Sequence, residues 1–127
     1  MILLTLEQVH LLHEDQILRF GGLPGINDPG LVESAVNAVV NRICYQNCTD
    51  PIELASVYLY RLVSNHGFLD GNKRVGMAAA LVFLRLNGFR TDFPEFEEIT
   101  LGVAAGLLDE GAVVGELRGI YRRAGIL

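Results

Sequence analysis

The stretch HGFLDGNKR, His66 to Arg74, runs straight into VGMAAALVFL, Val75 to Leu84, and the fold turns on how that junction is read. Asp-Gly is a strong hairpin-turn signal, and LDGNKR could be a polar turn between strands. The flanks rule this out. IELASVYLYRLVSN before it and the apolar run after it carry their hydrophobic residues at helical period, not in alternation. The polar cluster therefore joins two helices, Pro51–Asn65 and about Asn72–Asn87, the second closed by Gly88. Both are apolar on nearly every side, so both must be wrapped by other elements.

Helix start signals supply the wrapping. Thr5 and Gln8 form a capping box ahead of Val9, Leu12 and Ile17, and RFGGLPG ends that helix with paired glycines. Asp28-Pro29 sets a capping carboxylate before a proline at the first helical position, with Leu31, Ala35, Ala38 and Val39 at helical spacing. Asp50-Pro51-x-Glu53 repeats that grammar. Pro94 precedes a fifth helix, about Glu95–Leu108, and Asp109 caps a sixth through about Arg123. Strand-like alternation is nearly absent. A short hairpin or irregular flap is expected, if anywhere, around Arg42–Thr49. The prediction is an all-α, compact bundle of about six helices around a buried central pair, with residues 1–127 forming a single domain.

Half of the 127 residues are hydrophobic, enough for a generous core and some apolar surface for a partner. The longest uncharged apolar run falls well short of the roughly 20 residues of a membrane span, and Met1–Leu4 lacks the basic start of a signal peptide. The cytoplasm is the expected compartment. A net charge of −5 argues against nucleic acid as the main ligand. Nine of the ten cations are arginines, and the one lysine is Lys73, inside the opening motif. Cys44 and Cys48 lack the further ligands of a zinc site and read as reduced thiols. His10 and His13 share a helix face without a carboxylate partner and read as surface or packing residues. Arg118, Arg122 and Arg123 read as a solvated face.

A polar connection between helices does not call for a histidine, a buried aromatic and a carboxylate–glycine–amide–cation–cation run. An anion site uses every one of them. The N-terminus of the second helix offers unpaired N–H groups and a partial positive charge. Gly71 lets a phosphate approach the backbone, Asn72 offers an amide donor, and Lys73 and Arg74 add full charges, the arginine able to bind in bidentate fashion. Asp70 repels phosphate unless a cation lies between, and Mg²⁺ takes one carboxylate together with phosphate oxygens. Phe68 anchors the loop in the core. His66, ending the preceding helix, faces the anion as a general base.

The string H-x-F-x-D-G-N-K-R resembles the signature of the Fic superfamily, H-x-F-x-[DE]-G-N-[GK]-R, at every fixed position. GGLPG with DPG soon after, and NKR followed by ALVFLRLNG, resemble the death-on-curing branch, toxins of bacterial toxin–antitoxin pairs. The likeness spans about Leu11 to Arg90. The resemblance implies the Fic fold and ATP, or another nucleoside triphosphate, as co-substrate. It implies His66 deprotonating a hydroxyl on a target protein and Asp70 holding Mg²⁺. Gly71, Asn72, Lys73 and Arg74 would form the anion cradle, with Phe68 structural.

Many superfamily members transfer AMP and read G-N-G-R-x-x-R. Here Lys73 replaces the second glycine and Met77 stands where the second arginine would be. Both departures are shared with the death-on-curing branch, whose members move a phosphate to a threonine of elongation factor Tu and block translation. AMP transfer to a Ser, Thr or Tyr is the alternative, as is a catalytically silent module that binds nucleotide or partner. Self-inhibiting members carry [ST]-x-x-x-E-[GN]; here the one Glu before Gly or Asn is Glu110, and Gly106 stands four residues earlier. Inhibition is thus expected from a separate small antitoxin, encoded nearby.

Overall fold

The structure is a computed structural model that describes residues 1–127. It is all-α: α1 (Leu6–Phe20), α2 (Pro29–Gln46), α3 (Pro51–Asn65), α4 (Asn72–Leu86), α5 (Glu95–Ala104) and α6 (Glu110–Arg123). Each expected cap is in place. Thr5 and Gln8 make the reciprocal capping box of α1, and Asp28, Asp50 and Asp109 each accept a first-turn N–H of α2, α3 and α6.

The centre of the bundle is α3, with nine of its residues buried; it packs most extensively on α4 and is flanked by α2, α5 and α6, while α1 covers the other side of α4. Gly76 permits the α3–α4 approach. A Cβ there would stand 2.5 Å from Val63 Cγ2 and 3.1 Å from the Leu59 carbonyl. One cluster of 27 buried residues runs through all six helices, with Tyr58, Tyr121, Phe83 and Phe96 its largest side chains. The Tyr58 hydroxyl accepts from Leu4 N–H (3.0 Å) and donates to Leu4 C=O (3.2 Å), so a buried phenol also ties down the N-terminal segment. No helix is long and apolar enough to cross a membrane.

Three local expectations need correction. The flap expected at Arg42–Thr49 is not there: α2 continues to Gln46 and ends on Asn47 in the left-handed conformation (φ 53°), with Cys48 N–H donating back to Arg42 C=O. Glu110 at the start of α6 holds Arg42 at 3.0 Å and Arg61 at 3.4 Å, and so braces that last turn. The chain's one β-bridge lies elsewhere, antiparallel between Ile26 and Phe68. Helix α5 stops at Ala104 and not Leu108, because Gly106 takes φ 75° and Leu107 N–H closes on Gly102 C=O. His66 lies one residue past the end of α3, at its cap. Cys44 and Cys48 are free, the Cys48 thiol donating to Glu53 Oε2 at 2.7 Å. Arg118 pairs with Asp50 at 2.8 Å.

Candidate active site

Where α3 ends, the chain must reverse into α4, and His66 makes the turn with φ 53° and ψ 42°. A non-glycine residue there costs of order 1–3 kcal/mol and persists only where its surroundings hold it. The segment from Gly21 to Asp28 does the holding. Asn27 Nδ2 donates to His66 C=O (3.0 Å), Asn27 and Asp28 N–H both donate to Gly67 C=O (2.9 Å each), and Leu69 N–H donates to Gly25 C=O (3.2 Å). Gly67 is itself sealed in, since a Cβ would stand 2.6 Å from Val32 Cγ2. The effect is to leave the His66 imidazole exposed on a fixed backbone.

Phe68 is buried among the core residues. Asn72 differs from expectation: its amide is closed on the loop, Oδ1 accepting Phe68 N–H (3.1 Å) and Nδ2 donating to Phe68 C=O (2.9 Å). What Asn72 can offer an anion is its backbone N–H in the first turn of α4. No side chain caps that turn and no acidic residue lies in it; Gly71 precedes it at φ 77°. Lys73 is exposed and makes no ion pair or hydrogen bond within the chain. Arg74 is half-buried, its Nη1 donating to Gln16 C=O at 3.3 Å at the end of α1.

Asp70 is held from two sides, Oδ2 accepting Leu23 N–H (3.0 Å) and Oδ1 accepting Gly71 N–H (2.8 Å). The Leu23 N–H first, then the Gly71 N–H and the charge of Arg74, keep its carboxyl below the usual Asp range and therefore ionised at neutral pH. Glycine suits position 22 because its φ of 118° would strain any other residue, and a Cβ there would push on Asp70 Oδ2 (2.6 Å) and Arg74 Nη2 (2.9 Å) and displace both side chains. Each Asp70 oxygen keeps an acceptor position beyond the one used. A lone carboxylate suits Mg²⁺, which completes its shell from phosphates and water and seldom uses a protein cage. Nowhere do three His, Cys, Asp or Glu side chains gather into such a cage.

His66, Leu69 and Asp70–Arg74 line one cleft of about 470 Å³, with Val63 and Ala104 completing the wall. A smaller recess of about 160 Å³ adjoins it through Lys73 and Arg74 and is walled by Met77, Glu97, Thr100 and Leu101. The clamp formed by Leu23, Gly25 and Asn27, the clearance at Gly22 and the Gln16 carbonyl under Arg74 have no motif in the sequence. GGLPGIND read as a turn, and the paired glycines were its one signal of close approach.

The Fic/DOC family model matches residues 3–84. Across 119 residues, 93% of this chain and 94% of the relative, the chain is 40% identical to "Protein kinase doc" of Escherichia phage P1. It is 34% identical over 115 residues to "Toxin Doc" of Mycolicibacterium smegmatis, which covers 84% of this chain and 86% of that one. The chain belongs to the Fic/DOC family.

Proposed function

We propose that the protein is the toxin of a toxin–antitoxin pair and a protein kinase, moving the γ-phosphate of ATP to a hydroxyl of a target protein. A threonine of elongation factor Tu is the proposed target, in the cytoplasm, with translation as the process blocked. The observation that carries this reading is the placement of charge around the start of α4. Lys73 is free at the cleft that His66 shares, while Met77 occupies the wall where an AMP transferase would need a second arginine. A thioether has no charge and barely accepts a hydrogen bond. Lys73 and Arg74 line the cleft that the base shares as well as the recess at Met77, where Glu97 stands against them, and this favours the terminal phosphate lying beside His66. The names of the two relatives, one a kinase and one a toxin, support the same reading.

In the reaction His66 takes the proton of the target hydroxyl as its oxygen bonds to the γ-phosphorus. The bond from that phosphorus to the β–γ bridging oxygen breaks, and ADP leaves. Lys73, Arg74 and the first-turn N–H groups of α4 stabilise the charge on the transferred group. Asp70 would hold Mg²⁺, which supplies charge neutralisation on the nucleotide phosphates. Asn27 pins the His66 backbone and so fixes where the imidazole is mounted at the cleft.

Incubation with Mg²⁺, elongation factor Tu and either γ- or α-labelled ATP tests the proposal. Label from γ-ATP alone, with a mass gain of one phosphate, is expected. The α-label on the target would make this an AMP transferase, and no covalent label from either would make it a binding module. Expression of the chain alone should arrest bacterial growth, and co-expression of the small protein encoded beside it should relieve the arrest. Harmless accumulation of folded wild type would remove the toxin reading.

A further inference from the structure

Apart from the tyrosines, three polar side chains are buried in the bundle: His13, Ser56 and Thr100. Ser56 and Thr100 bond back to their own helices, at Ile52 C=O (2.9 Å) and Phe96 C=O (2.8 Å), which is the usual local solution. His13 does not. It sits on α1, 4% exposed, and its Nε2 lies 2.7 Å from the backbone carbonyl of Asp70, 57 residues along the chain. A carbonyl can only accept, so Nε2 carries the hydrogen. The same ring lies flat on Phe68, with centroids 3.8 Å apart and planes at 10°, while His10 stands T-shaped to Phe68 with centroids 5.5 Å apart. These rings line a second cavity of about 500 Å³, between α1 and the Pro24–Ile26 segment, distinct in its residues from the cleft at His66.

The Asp70 carbonyl belongs to the peptide plane that joins Asp70 to Gly71. Its other polar group, the Gly71 N–H, is the one that Asp70 Oδ1 accepts. A peptide plane is rigid, so fixing the carbonyl fixes the direction of that N–H and the entry of the chain into α4. Leu23 N–H depends on the same arrangement through Asp70 Oδ2. We infer that His13 is a positioning residue. By donating from Nε2 to the Asp70 carbonyl it locks the Asp70–Gly71 peptide, and so sets both the carboxylate and the open first turn of α4. The consequence for rate rests on the kinase reading above; the consequence for the loop does not.

The test compares His13→Leu with His13→Gln. Both fill similar volume and both lose the flat stack on Phe68, but only glutamine can return an N–H to the place of Nε2. Transfer of γ-label from Mg-ATP to elongation factor Tu and backbone amide exchange by NMR are measured on each. His13→Leu is expected to lose rate by roughly tenfold to a hundredfold, as a small misplacement of a reacting geometry does. Its Leu23 and Gly71 amides should exchange up to about tenfold faster, the scale of one lost hydrogen bond, while amides in α3 and α6 keep their protection. His13→Gln should recover most of both. Full rate with unchanged Leu23 and Gly71 exchange in His13→Leu would overturn the inference. So would a loss of protection across the bundle that glutamine does not repair, since His13 would then be packing alone. Should wild type transfer no label at all, the kinase reading fails, and the exchange comparison still decides the role of His13.

Discussion

Helices α3 and α4 pack on one another through the same kind of apolar surface, yet their first turns are built on opposite rules. At the start of α3, Asp50 Oδ1 accepts Ile52 N–H at 2.9 Å, Pro51 occupies the first position, and Glu53 adds a second acid where the helix dipole favours one. Arg118 then pairs with the free oxygen of Asp50. At the start of α4 there is no side-chain cap and no acid, and two cations stand in the turn where the dipole disfavours them. The core cannot be the cause, because it is shared. Where only stability is at stake the chain supplies its own anion. On the proposed kinase reading the anion comes and goes with a nucleotide, and here the chain leaves the turn uncapped and sets around it Lys73, Arg74 and the Asp70 carboxylate, which is turned onto Leu23 and Gly71.

The sharpest way to sharpen that contrast is His66→Ala. General bases contribute about 10²–10⁴-fold, so γ-label transfer in single turnover should fall by that order. The melting temperature should stay near wild type, because the side chain is exposed. Near-wild-type turnover would show that the open turn serves some other chemistry. Lys73→Glu comes next, and should move function and stability in opposite directions. A glutamate in the first turn of α4 should stabilise the fold by about 0.3–1 kcal/mol, read as a higher urea midpoint. ATP affinity by calorimetry should fall at least about tenfold, since a cation has become an anion beside the phosphates. If Lys73→Glu lowered stability, the first turn of α4 would not be a place that favours negative charge.

How far this was legible in sequence divides along the same line. Caps are local, and Thr5, Asp28, Asp50 and Asp109 all cap where their residue types say they should. The apolar all-round pattern of 51–65 and 72–87 located the central pair for the same reason. The end of α2 could not be read that way, because its bracing comes from Glu110, 68 residues distant from Arg42. The early end of α5 could have been, since Gly106 stands inside the apolar run that hid it. At the site, HGFLDGNKR holds most of the residues that line the cleft, but does not tell how they are held. Asn72 closes on Phe68, and His66 hangs on Asn27, through contacts that only the folded chain brings together.

Asp50→Ala breaks the comparison from the α3 side. Loss of an aspartate cap costs about 0.5–2 kcal/mol, and the half-exposed pair with Arg118 adds little, exposed pairs being worth about 0–1 kcal/mol. The expected result is a urea midpoint lowered by that amount, with γ-label transfer per folded molecule unchanged. A variant that lost transfer while keeping stability would show that the starts of α3 and α4 are coupled, against the division drawn here.

The smallest effect should come from acid, and it belongs to Asp70 and the metal-free protein. The Leu23 N–H, then the Gly71 N–H and Arg74, lower its folded pKa below the unfolded value of about 3.9. A carboxyl depressed on folding binds fewer protons in the native state, so its contribution to stability is complete above about pH 4 and is lost as pH falls through the lower folded value. In Asp70→Asn that contribution is gone at every pH, and an amide oxygen can accept only one of the two facing N–H groups well. Melting temperatures of wild type and Asp70→Asn, measured in chelator across the acid range, should therefore differ by a constant amount near neutrality and converge only below about pH 4. Convergence already at pH 6 would mean that the carboxyl is raised, not lowered. It would then lack the standing negative charge that the proposed Mg²⁺ site requires, and the contrast between a self-capped α3 and an uncapped α4 would rest on Lys73 and Arg74 alone.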